Sequence, residues 1–79
     1  MRLDKYLKVS RLIKRRTVAQ EACDGGRVSV NGVVAKPSRD VKVGDTIEVS
    51  FGTKTLRAEI LSVQETVRKD DAAAMYKEV

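Results

Sequence analysis

The sequence predicts an α+β fold in a single small domain: two short helices, then a small antiparallel sheet, then a short C-terminal helix. Three observations lead there. Apolar residues recur at helical spacing up to Asp24 and alternate singly from Val28 onward. Gly25-Gly26 separates the two regimes, and Asn31-Gly32 sits between β-branched runs. At 79 residues the chain makes one domain at most, with a compact core and no spare layer for a deep cavity.

The first helix spans residues 2–10. Leu3, Tyr6, Leu7 and Ser10 follow the i, i+3, i+4, i+7 stripe, and Arg2, Lys5 and Lys8 fall off it. The stripe shifts register between Ser10 and Arg16, which predicts a break there. A second helix runs from Thr17 to Asp24. Thr17 is the candidate N-cap, and Gln20 completes a capping box. Val18, Ala19, Ala22 and Cys23 are its expected buried stripe, with Gln20, Glu21 and Asp24 facing water. Gly25 and Gly26 end it, because glycine takes the left-handed C-cap geometry cheaply.

Asn31-Gly32 then predicts a hairpin, with Val28 and Val30 on one face and Ser29 on the other. Residues 36–40 hold the only proline and read as a loop. Val41 and Val43 lead into a Gly44-Asp45 turn. Thr46–Phe51 alternates cleanly, with Ile47, Val49 and Phe51 on one face. Gly52-Thr53 turns it into a partner strand from Lys54 to about Val63. The segment 70–79 reads as a short helix with Asp70 and Asp71 at its start. It is too short to stand alone, so it must pack on the domain, dock on a partner or fray.

Charge narrows the function. The net charge is +5, but residues 1–42 carry +7 and residues 43–79 carry −2. The basic half centres on Lys14, Arg15 and Arg16 and extends back through Arg11, Lys8, Lys5 and Arg2. No carboxylate lies between Lys5 and Arg16, so local neutralisation is not expected. A charge run is usually a solvated face. Here the excess of cations, their position at a helix–helix junction and the mildly acidic remainder favour a large anionic partner, above all nucleic-acid phosphate. Arginine supplies bidentate forks for phosphate, and lysine a mobile point charge.

Other classes fare worse. The chain has no histidine, the commonest acid–base residue and metal ligand. Cys23, alone on an apolar stripe, reads as core rather than nucleophile. Asp70-Asp71 reads as a helix cap rather than a metal site, and Gly25-Gly26 precedes a strand rather than a helix, so no phosphate loop forms. The reading is therefore non-enzymatic, with no cofactor and no metal. No apolar run approaches the roughly 20 residues of a membrane span. No signal peptide is visible and one cysteine allows no internal disulfide, which together favour the cytoplasm. A DNA recognition helix is disfavoured, because the second helix exposes Glu21 and Asp24. Tyr6, Phe51 and Tyr76 are scattered, which leaves backbone and shape recognition of folded RNA.

Several motifs together, RLDKYL, SRLIKRRT, the glycine-to-NG stretch from Gly26 through Gly32, KPS and VKVGD, resemble the RNA-binding domain first described in ribosomal protein S-four. The resemblance covers residues 2 to about 51. It implies the α-L motif, two helices packed on a small antiparallel sheet, within an RNA-binding domain of residues 1–63. Residues 64–79 are then a short C-terminal extension. Among stand-alone members, the short acidic tail is similar to the RqcP (YabO-like) group rather than to the small ribosome-associated heat-shock protein, whose basic extension is longer.

That resemblance implies a role in bacterial ribosome-associated quality control. The expected partners are the stalled large ribosomal subunit, large-subunit rRNA, P-site peptidyl-tRNA and the factor RqcH, which adds C-terminal alanine tails. The RNA-contacting residues it implies are Arg2, Arg16, Arg11, Lys14, Arg15 and Thr17, with Lys36 from the KPS loop. Lys8 joins them from the charge reading. Two alternatives stay open: a heat-shock-type recycling factor or general rRNA and tRNA binder, and a basic protein–protein adaptor.

Overall fold

A computed structural model describes residues 1–79. Helix α1 (Leu3–Val9) and helix α2 (Arg16–Asp24) pack on one face of a five-stranded antiparallel sheet. The strands are β1 (Val28–Val30), β2 (Val33–Val34), β3 (Thr46–Phe51), β4 (Lys54–Ile60) and β5 (Tyr76–Glu78), in spatial order β2-β1-β3-β4-β5. A 3₁₀ helix, Lys69–Met75, precedes β5.

The expected α1 stripe holds: Leu3, Tyr6, Leu7 and Ser10 are all buried. The helix lacks a side-chain cap. Its first amides are satisfied instead by the 36–40 loop, Leu3 N–H to Arg39 O at 2.8 Å and Asp4 N–H to Pro37 O at 3.1 Å. The Met1 amine binds Asp40 Oδ1 at 2.7 Å and holds that carboxyl below the usual range. After α1 the chain reverses through Arg11, whose φ of 63° is unusual for a residue with a Cβ. Ile13 then plugs the core beneath the turn.

Helix α2 departs from expectation at its start. It begins at Arg16, with extended Arg15 in the N-cap position and no side-chain cap. Thr17 therefore lies inside the first turn and forms no capping box. Gln20 does not face water; its amide reaches into the helix junction. Val18 is 45% exposed, so the buried stripe is Ala19, Ala22 and Cys23. Those small residues form the face toward α1 and the sheet. The exit is as expected: Gly26 takes φ +75° and the Arg27 amide closes on Ala22 O at 2.9 Å.

Asn31 and Gly32 both have positive φ, 52° and 83°, the two-residue type I′ turn whose twist matches its strands. The Asn31 side chain also bridges to β3: its Oδ1 accepts from Thr46 N–H at 2.9 Å and its Nδ2 donates to buried Asp45 at 3.1 Å. Registers Val30↔Ile47, Val28↔Val49 and Ile47↔Ala58 align the inward side chains of β1, β3 and β4 under the helices. Phe51 continues the β3 alternation but lies past the cover of the core and is 45% exposed. Strand β4 stops at Ile60, short of the expected Val63.

The C-terminal segment packs on the domain. Its helix is 3₁₀, and residues 76–78 are strand rather than helix, paired with β4 as Ile60↔Tyr76 and Ala58↔Glu78. Ala72 and Met75 are buried, and the Tyr6 hydroxyl donates to Met75 O at 2.8 Å. Burial, with Tyr76 nearby, pushes the Tyr6 phenol above its ordinary range. No helix is long and apolar enough to cross a membrane.

Candidate nucleic-acid interface

The α1–α2 junction is built around one carboxylate that the charge reading passed over. Asp4 is fully buried, on the first turn of α1. An isolated buried carboxylate would be costly, so its oxygens need donors. Arg2 supplies a fork, Nε to Oδ1 at 3.1 Å and Nη2 to Oδ2 at 3.2 Å. Arg16 approaches from the start of α2, Nε to Oδ2 at 3.3 Å. Gln20, one helical turn further on, donates to Oδ2 at 2.9 Å, and the Lys5 amide to Oδ1 at 2.8 Å. Burial alone would raise the Asp4 carboxyl. Donation from Gln20, Arg2, Arg16 and the Lys5 amide overcomes this and holds it at about 2, against an ordinary 3.8.

Two expected site residues, fourteen positions apart in sequence, are thus brought together by a shared acid. Their charge is not free of local neutralisation, as the sequence had implied: one carboxylate offsets one of the two guanidinium charges. Both side chains remain about half exposed, Arg2 50% and Arg16 43%. A guanidinium has five N–H donors, so each keeps donors toward solvent.

Lys8, Arg11 and Lys14 line a second feature, a groove of about 130 Å³ whose opposite wall is Glu65, Thr66 and Val67. The left-handed turn at Arg11 swings the chain so that residues on either side of the helix break face one cleft. Glu65 also pairs with Lys5 at the edge of this face. Lys14 and Arg15 are exposed and take part in no ion pair. Thr17 is exposed on the first turn of α2. Lys36 is exposed in the loop whose next residue, Pro37, bonds to Asp4 N–H, which sets it beside the start of α1.

Two residues that build the junction were missed: Asp4, which holds the arginines, and Gln20, which donates to Asp4. For Asp4 the available signal was the Arg-x-Asp spacing; for Gln20 there was none. Cys23 is buried in the core, as expected, and burial, then Asp4 and Asp24, push its thiol up to about 11. No cluster of potential metal ligands is present.

Residues 1–47 match the S4 domain model. The RQC P-site tRNA stabilizing factor of Streptococcus pneumoniae is 57% identical over 77 residues, covering 98% of this chain and 88% of that protein. This chain belongs to the RqcP family of stand-alone S4-domain proteins. The Bacillus subtilis factor of the same name is 55% identical over 76 residues, covering 96% of this chain and 88% of its own length. A related branch is also close in structure. The trimeric structure of Vibrio cholerae heat shock protein 15 superposes with a TM-score of 0.93 at 34% identity, covering all of this chain and 81% of that one. The α-L expectation for the fold therefore holds, and membership of the RqcP family extends through the tail that completes the sheet.

Proposed function

We propose that this chain is a non-catalytic RNA-binding factor of ribosome-associated quality control. It grips large-subunit rRNA and P-site peptidyl-tRNA on the blocked large subunit. By holding the tRNA in place it supports alanine tailing of the stalled chain by RqcH. The observation that carries the reading is the α1–α2 junction, where half-exposed Arg2 and Arg16 stand on Asp4 next to the groove of Lys8, Arg11 and Lys14. Arg15, Thr17 and Lys36 extend the same contact surface. Membership of a family named for P-site tRNA stabilization supports P-site tRNA as one of the RNAs held.

The mechanism is positional. Guanidinium and ammonium groups on a rigid two-helix platform neutralise phosphates of two RNAs at once, and no bond is made or broken. With about five phosphates neutralised, log affinity falls by about 0.7–0.9 per phosphate per log unit of salt. Lys14→Ala and Arg15→Ala are the clean probes, because neither side chain has an intrachain ion pair to lose. Each is expected to lower the salt slope by roughly one while leaving the melting temperature unchanged. In sucrose gradients of lysate the wild-type protein is expected in the large-subunit fraction with peptidyl-tRNA, and the double variant at the top. Wild type at the top of the gradient, free of ribosomal RNA, would overturn the reading and leave a basic protein adaptor.

A further inference from the structure

A second groove, of about 450 Å³, runs between α2 and the β3–β4 turn, and none of the residues assigned above except Lys14 touches it. Its floor and walls are apolar, with Leu12, Val18, Val49 and Phe51 among them. Lys14 and Arg27 stand on it, and it carries no acid. Val18, expected on the buried stripe of α2, and Phe51, expected on one face of β3 with Ile47 and Val49, are each 45% exposed. Here an apolar slot is bounded by cations and shares one of them, Lys14, with the groove of Lys8 and Arg11.

We infer that this slot receives one unstacked nucleobase from a loop of the bound RNA. The base lies against Phe51, and its flanking phosphates sit on Lys14 and Arg27. The inference rests on the RNA-binding reading above. A nucleobase matches the chemistry of the site: a flat apolar face for the aromatic ring, and an anion on each side for the two cations. A single aromatic serves a single base, which agrees with the scarcity of aromatics elsewhere. An acidic peptide would match the rim charge but not a wall built to take a ring. Continuity through Lys14 lets one strand lie along the phosphate groove and turn a base into the slot.

The test uses a fluorescein-labelled oligouridylate of about ten nucleotides and a matched strand with abasic central positions, which keeps every phosphate. Anisotropy titrations compare the full-length wild type, Phe51→Ala, Phe51→Trp and Lys8→Ala. Wild type is expected to prefer the base-bearing strand by about fivefold or more. Phe51→Ala should erase that preference with the abasic affinity unchanged. Phe51→Trp should retain it, with its indole fluorescence quenched on binding. Lys8→Ala should weaken both strands alike. Equal affinity of wild type for the two strands would overturn the base slot and leave phosphate binding standing, with the groove then open to an apolar side chain of a protein partner. Loss of abasic binding in Phe51→Ala would overturn it too, by recasting Phe51 as structural. Failure of wild type to bind either strand or ribosomal RNA would remove the RNA reading itself.

Discussion

Replacing Asp4 with Asn tests whether the α1–α2 junction is held by a charge. The substitution keeps the shape and one acceptor. It removes the negative charge and points an N–H₂ at guanidinium or amide donors already in place. Asp4 receives donors from Arg2, Arg16, Gln20 and the Lys5 amide. A hydrogen bond to a charged group contributes about 1.5–3 kcal/mol, and breaking a fully buried pair costs about 3–5 kcal/mol. Both arginines are about half exposed and can rehydrate, so screening pulls the value down. About 2–3 kcal/mol remains, which for a domain of this size lowers the melting temperature by about 10–20 °C. Circular-dichroism melts at neutral pH read that difference.

The same melts in acid read its origin. The folded carboxyl titrates at about 2 and the unfolded one at about 3.8. A depressed value means the stabilisation is complete above the unfolded value and is lost as pH falls through the folded one. The gap between wild type and Asp4→Asn must therefore narrow from about pH 4 to about pH 2. Asp40, also depressed, is present in both proteins and cancels in the difference. A variant that melts within about 2 °C of wild type at neutral pH, or a gap that stays open at pH 2, would refute the charge argument.

Two further substitutions probe the elements around the site. Asn31→Ala places a Cβ residue without turn chemistry at φ 52° and removes the bonds to Thr46 and Asp45. A loss of about 2 kcal/mol is expected in urea unfolding, and Asn31→Gly should recover the backbone share but not the side-chain bonds. Tyr6→Phe removes the donor to Met75 O, which still accepts from the Leu61 and Ser62 amides. No bare carbonyl results, so the cost should stay near 1 kcal/mol, with faster hydrogen exchange at β5 as the local signature.

What the sequence made legible was local. The α1 stripe, the glycine exit from α2, the NG hairpin and the β3 alternation each rest on contacts a few residues apart. The failures share the opposite property. Gln20 looked solvent-facing because its partner, Asp4, lies sixteen residues away across a helix junction. Thr17 and Gln20 had the spacing of a capping box, yet the helix opens at Arg16, where the Arg16 side chain can reach Asp4. AAAM reads as helix by propensity, and Tyr76–Glu78 becomes strand only because β4 offers a free edge. Phe51 kept its predicted face, but strand alternation carries no information on where the overlying helices end. The candidate site residues read as a charge cluster in the sequence; which of them are tethered did not.

That tethering has a consequence for how a phosphate is met. Two arginines converging on one place repel each other, and a free arginine carries about 2 kcal/mol of rotamer entropy that is lost when it is fixed. Asp4 relieves the first cost by supplying one negative charge between Arg2 and Arg16, and lowers the second by fixing both guanidinium planes before any ligand arrives. The junction keeps a net positive charge and outward N–H donors. Lys14 and Arg15, without intrachain partners, keep full charge but must be ordered on contact. On the proposed function the two classes divide the work: the free cations set the salt-dependent attraction, and the Asp4-held pair sets orientation. Asp4→Asn in a protein kept below its melting temperature should then weaken RNA binding even though it makes the surface more positive. Tighter binding by that variant would mean that net charge, and not the fixed geometry of the arginines, governs the interface.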